Sequence, residues 1–161
     1  MTIIQDPYQA FLQSPPSGED GEEPIKVVTE SNVLRAIMPL VAEQEYIEAI
    51  LDPGCQIVTM LEEVCLALAI PYDPNVCLNM VSANGGVDQS LGLAKDVPFK
   101  IGKIMVYLQV HILQQPAYDI LLGWPFDVLT ESVVQNYSNE NQTITILDPN
   151  TGKCAAVPTI R

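Results

Sequence analysis

From residue 33 onward, hydrophobic and polar positions follow the two-residue period of strands more often than the period of helices. "VLRAIMPLV" (33–41) and "YIEAILD" (46–52) are β-type runs, and the short "AEQE" between them predicts a hairpin. "CQIVTM" (55–60) predicts a further short strand. The period then changes. Leu61, Val64, Cys65 and Leu68 recur at helical spacing with Glu62 and Glu63 on the other face, which predicts a helix near 60–69, about three turns long, ended by Pro71. Cys65 is read there as a small core residue. "VCLNMVSANGGVDQSLGLA" (76–94) predicts a long hairpin with Asn84-Gly85-Gly86 at its tip, because Asn and Gly tolerate the positive φ of tight hairpin turns.

"VPFKI" (97–101) and "KIMVYLQVHIL" (103–113) predict two strands around Gly102. In the second, Val106, Leu108, Val110 and Ile112 share one face, and Tyr107, Gln109 and His111 share the other. His111 is therefore expected to be a solvated strand residue. "YDILLG" (118–123) predicts a short buried strand, and "WPFDVLTES" (124–132) a helix that tolerates Pro125 in its first turn. "QTITIL" (142–147) and "KCAAVP" (153–158) flank "DPNTG" as a closing hairpin. The pattern as a whole predicts an all-β domain, β-rich with two short helices.

Composition changes the picture at the N-terminus. Residues 1–31 hold six acidic residues and one lysine among Pro15, Pro16, Gly18, Gly21 and Pro24. Such a stretch buries little and is expected to be a disordered acidic tail, with "YQAFL" (8–12) as its one apolar island. The domain is expected over residues 32–161, within a chain of 161 residues that is 48% hydrophobic. A formal charge of −13 disfavours nucleic acid and anionic membrane surfaces as partners. No window of eighteen apolar residues and no secretory pattern is seen. Cys55, Cys65, Cys77 and Cys154, with the single His111, show no zinc spacing, so free thiols in an intracellular, cytoplasmic setting are expected. The glycosylation patterns at Asn136 and Asn141 are then chance matches.

Candidate chemistry centres on "ILDPGCQIVTM" (50–60). Asp-Pro occurs at three other places (residues 6, 73 and 148), so the dipeptide by itself marks only a turn. A cysteine nucleophile at Cys55 lacks a partner motif, because the one histidine lies on another strand. There is no Gly-rich phosphate loop and no serine nucleophile elbow.

The order of pieces is more specific than any one of them. Strand pair, Asp-x-Gly, strand, long hairpin, strand pair, apolar-apolar-Gly, helix and strand resembles the retropepsins, the single-lobe aspartic proteases of retroviruses, LTR retrotransposons and some cellular proteins. The resemblance covers about residues 32–160 and is carried by "ILDPGCQIVTM", "SANGGVDQSLG" and "YDILLGWPFDVL". The sequence looks most like the protease segments of fungal retrotransposon polyproteins, or genes domesticated from them. The resemblance implies a closed acid-protease-type barrel with a flap hairpin. It implies an endopeptidase acting as a homodimer on a polyprotein or extended peptide, with no cofactor and no metal. Asp52 would supply the catalytic carboxylate from each copy, and Gly54 a backbone N–H beside it. Ala83, Asn84, Gly85 and Gly86 would form the flap over the substrate, with Leu121 on the floor. Asp119 would brace the loop. One feature departs from the family: Pro53 stands where Ser or Thr is usual, so a hydroxyl that would bond across the dimer is missing. A retropepsin-fold dimerisation or peptide-binding module without hydrolysis is the alternative.

Overall fold

In the computed structural model the described residues are Ile25, Val27, 34–81 and 87–161. The chain divides into two units, Met1–Asn32 and Val33–Arg161, and the account below concerns the second.

The first two β-type runs form one hairpin that is broken in the middle. Near its turn, β2 (Leu40–Val41) pairs antiparallel with β3 (Glu45–Tyr46). Farther out, β1 (Arg35–Ile37) pairs with β4 (Ala49–Leu51) in the same register. The bond from Ile47 N–H to the Pro39 carbonyl, 3.1 Å, continues that register across the gap. Pro39 has no N–H to offer the ladder, which is where the hairpin bends. The turn itself has positive φ at both Ala42 (53°) and Glu43 (58°), with Gln44 N–H bonded to the Val41 carbonyl at 3.0 Å. This is a I′-type turn, matched to strand twist but built here without Gly or Asn.

The two halves join opposite ends of one eight-stranded sheet, with β5 (Val58–Leu61), β8 (Gly92–Ile101), β9 (Ile104–Leu113) and β10 (Ile120–Leu122) between them, in the order β1-β4-β10-β5-β9-β8-β2-β3. Because both ends belong to the same hairpin, the sheet must curl strongly, and it forms a half-barrel. β10 enters between β4 and β5, parallel to the first and antiparallel to the second, and β5 runs parallel to β9. Successive partners Ile37, Ala49, Ile120, Met60 and Ile112 therefore form one row across five strands, and all are buried in the main core. Val106, Leu108, Val110 and Ile112 bury as the alternation predicts.

Both helices are found, but the first is shorter than its periodicity suggests. α1 spans Glu62–Ala67 and stops well before Pro71. Ala69 takes the left-handed conformation (φ 53°), Ile70 N–H bonds the Cys65 carbonyl at 3.0 Å, and Ala69 N–H bonds the Leu66 carbonyl at 3.1 Å. That is a Schellman ending, and it sets the end of the helix before proline can. Cys65 is fully buried, as expected, and its thiol reaches the Ile70 carbonyl at 3.2 Å. Burial, with Glu62 nearby, pushes that thiol's pKa up. α2 spans Trp124–Thr130 with Pro125 in its first turn, as expected, and ends with Glu131 in the left-handed region.

The long hairpin is present as β6 (Asn79–Val81) paired with β7 (Val87–Gln89). The expected flap residues Ala83, Asn84, Gly85 and Gly86 lie outside the described residues. The closing hairpin is β12 (Gln142–Leu147) and β13 (Cys154–Pro158), with the Asp148 carboxylate accepting from Asn150 N–H at 2.8 Å. β11 (Val133–Asn136), which the sequence pattern did not predict, adds to β12 as an edge strand. No helix among the described residues is long and apolar enough to cross a membrane.

Candidate active site

Asp52 follows directly on β4, in the loop that leads to β5. Its N–H donates to the Leu122 carbonyl at 3.0 Å, its carbonyl accepts from Cys55 N–H at 3.1 Å, and its Oδ1 accepts from Gly54 N–H at 3.2 Å. The Asp-Pro-Gly loop thus folds back on its own carboxylate. Pro53 cannot donate, so Gly54 supplies that bond. Asp52 is half-buried, and Pro53 and Gly54 are exposed.

What holds this loop is the junction of β10 and α2. β10 lies parallel to β4 with Leu122 opposite Leu51, which brings the two loops side by side. Trp124 N–H donates to the Cys55 carbonyl at 2.6 Å. At Gly123 a Cβ would lie 2.1 Å from the Ile57 carbonyl oxygen and 2.6 Å from that of Cys55. The glycine of the apolar-apolar-Gly motif is therefore where the second loop presses on the first. The sequence showed the motif but not its reason.

Leu121 is half-buried on the face opposite the core, between Ile50 and Thr59. The row runs Ile50, Leu121, Thr59, His111, Leu93 across five strands. His111 is not the solvated residue its strand position implied. It is half-buried, its Nδ1 lies 3.4 Å from Oγ of the buried Ser90, and burial lowers its pKa. Ser90 in turn accepts from Leu78 N–H at 2.9 Å, and so closes the root of the β6–β7 hairpin. Neither residue was singled out for this role, and only the pairing of distant strands brings them together.

Asp119 sits at the far end of β10 from the Asp52 loop. Its carbonyl accepts from Leu61 N–H at 2.8 Å, and its side chain is exposed. Leu122 is three residue steps farther along, about 10 Å of rise. The chain therefore does not bring Asp119 and Asp52 together; Asp119 bonds β5 through its backbone and does not brace the Asp52 loop as the resemblance implied. Asp73 and Asp148 cap their own turns, as a plain-turn reading expects. Among the described residues no group of His, Cys, Asp and Glu could hold a metal ion.

Beside the loop opens a groove of about 720 Å³, walled by Leu51 and Pro53 on one side and by α2 and β11 on the other. Leu34, Trp124, Val128 and Val134 line it and are all exposed.

The fold has solved counterparts. The retroviral protease-like domain of Ddi1 from Leishmania major matches over 81% of this chain and 97% of its own, with a TM-score of 0.64 and 14% identity. A retropepsin-like aspartic protease from Rickettsia conorii matches over 76% of this chain and 83% of its own, with a TM-score of 0.46 and 15% identity. No family model and no curated protein matches the sequence. On the first likeness, the chain has the fold of a retroviral protease-like domain.

Proposed function

We propose that this chain is an aspartic endopeptidase of retropepsin type that acts as a homodimer. The observation that carries the reading is the Asp52 loop. A carboxylate is folded onto the Gly54 N–H at a strand end and clamped from behind by Gly123 and Trp124, in a domain of retropepsin-like fold. Amide hydrolysis by carboxylates needs one that is ionised, to take a proton from water, and one that is protonated, to polarise the scissile carbonyl and then protonate the amine. Two such groups about 3 Å apart share one proton. The chain has one Asp-x-Gly loop, so the second aspartate comes from a second copy. Water adds to the carbonyl carbon as its proton passes to the ionised carboxylate. The tetrahedral intermediate then breaks its C–N bond as the amine takes up a proton. The β6–β7 hairpin would act as the flap, holding an extended peptide over a floor that includes Leu121. A retrotransposon polyprotein, or a gene domesticated from one, is the source we propose, with an intracellular site of action.

One observation favours a second reading. Pro53 is exposed and carries no hydroxyl to bond across the dimer, as a peptide-binding dimer without hydrolysis would allow. A single experiment separates the two. The wild type and Asp52→Asn are incubated in mild acid with a mixed peptide pool, and products are identified by mass spectrometry. The protease reading expects a wild-type product set that Asp52→Asn lowers about 10³-fold with fold and dimer intact. Retained dimer and peptide binding with no Asp52-dependent product would establish the second reading instead.

A further inference from the structure

The groove beside the Asp52 loop has apolar walls, yet two carboxylates stand in them. Asp127 lies on α2 and Glu131 just past its end, with Trp124 and Val128 of the helix beside them. From the facing elements, β1 contributes Arg35, and β4, the Asp52 loop, β11 and β12 contribute only uncharged residues. Arg35 is directed at Glu140, whose backbone carbonyl its guanidinium bonds and whose carboxyl pKa it helps Arg161 to lower, and among the described residues it makes no ion pair with Asp127 or Glu131. Asp127 is half-buried and its Oδ1 accepts from Ser132 Oγ at 2.6 Å.

The groove also adjoins the one half-site the chain possesses. Leu51 and Pro53, which flank Asp52, form its wall. Trp124, Val128 and Val134 are 56%, 55% and 46% exposed and cluster on the groove's walls rather than lying singly over the surface. A second copy is the occupant that both covers this surface and completes a two-aspartate centre.

We propose that a second copy of this chain seats on this groove, and that its seating takes up protons on Asp127. The inference rests on the homodimer reading above and adds its regulation. Covering the groove removes water from a carboxylate that the groove already shields in part. The neutral acid tolerates that, and the anion does not. The direction is already visible in the single chain, where burial raises the Asp127 pKa and the Ser132 hydrogen bond opposes the rise. Assembly is then linked to pH through a residue that takes no part in the chemistry. The dimer is favoured in acid and loosens as Asp127 ionises.

The test is sedimentation equilibrium from pH 4.5 to 8 in the full chain carrying Asp52→Asn, so that the dyad itself adds no titration. Salt of about 0.5 M screens the general repulsion between two acidic copies. The expected result is a dimer Kd that rises with pH above the ordinary carboxylate range, up to about tenfold per unit for each carboxyl that takes up a proton. Adding Asp127→Asn should flatten this dependence and keep the dimer tight at pH 7.5. Ser132→Ala, which removes the bond that favours the anion, should move the transition to higher pH. Glu63→Gln, on α1, should change nothing, and Val128→Arg should dissociate the dimer at every pH. An unchanged slope in Asp127→Asn, or a dimer indifferent to Val128→Arg, overturns the inference. A dimer whose Kd ignores pH overturns it while leaving the homodimer reading intact. A monomer at every pH overturns both.

Discussion

At Gly123 the backbone φ is −84°, a value open to any residue, yet a Cβ would stand 2.1 Å from a carbonyl oxygen of the neighbouring loop. Gly123→Ala should therefore force the β10–α2 junction off the Asp52 loop and cost about 1–3 kcal/mol or more, read by urea unfolding. Gly54→Ala is the contrast. Its Cβ would meet only Asp52 Oδ1, at 3.4 Å, so the isolated fold should lose little. Equal losses at the two sites would refute the clamp. His111 offers a second residue-scale test. Burial lowers its pKa below the ordinary 6.5, so the folded chain binds fewer protons there than the unfolded one. Its contribution to stability is complete above pH 6.5 and is lost as pH falls through 6.5 towards the folded value. The chain has one histidine, so NMR gives a single titrating imidazole. A Ser90 hydroxyl that donates to Nδ1 requires the Nε2–H tautomer, which the same spectra report. A titration midpoint at or above 6.5 would refute the burial account. The aspartate and both glycines could be read from the sequence as motif letters. The Ser90–His111 contact could not, because twenty residues separate the two and no local period reports a cross-strand neighbour.

Among the elements, those with a strong period emerge where the pattern puts them: β9 with its buried alternate face, α2 with its early proline, and the β12–β13 hairpin. The departures have local causes. α1 ends early because Ala69 accepts a left-handed conformation, which composition does not announce. β11 escapes notice because all four of its residues are exposed, so it shows no alternation. It forms because β12 offers it a ladder. The parallel pairs β4–β10 and β5–β9 are invisible to any reading built on hairpins. The turn at Ala42 and Glu43 supplies this scale's prediction. Both residues hold positive φ, which costs an ordinary L-residue roughly 1–2 kcal/mol. Replacing them together, Ala42→Asn with Glu43→Gly, gives the pair that I′ turns favour. Stability should rise by about 1 kcal/mol, with faster folding in stopped-flow refolding. No gain would mean that the I′ assignment is wrong.

For the whole molecule, the charge of −13 and the half-site pull in opposite directions. The first resists bringing two copies together, and the second, on the homodimer we propose, would be complete only when they meet. Acid relieves the first, and a carboxylate pair sharing one proton works in the same range, so assembly and chemistry would share a pH window. The bent first hairpin has a different consequence, one of folding order. The two ends of the eight-stranded sheet, β1-β4 and β2-β3, are the two halves of a single hairpin, whose paired residues, such as Arg35 with Leu51, are close neighbours along the chain. The contacts that join this hairpin to the rest of the sheet are the distant ones, such as Ala49 with Ile120 and Leu40 with Lys100. Closing a loop several times longer costs on the order of 1 kcal/mol more entropy. The curl is thus set by the most local piece of the architecture. The strand that carries Asp52 already has its partner in that hairpin before β10, and with it the Gly123 clamp, arrives from the far half of the sequence.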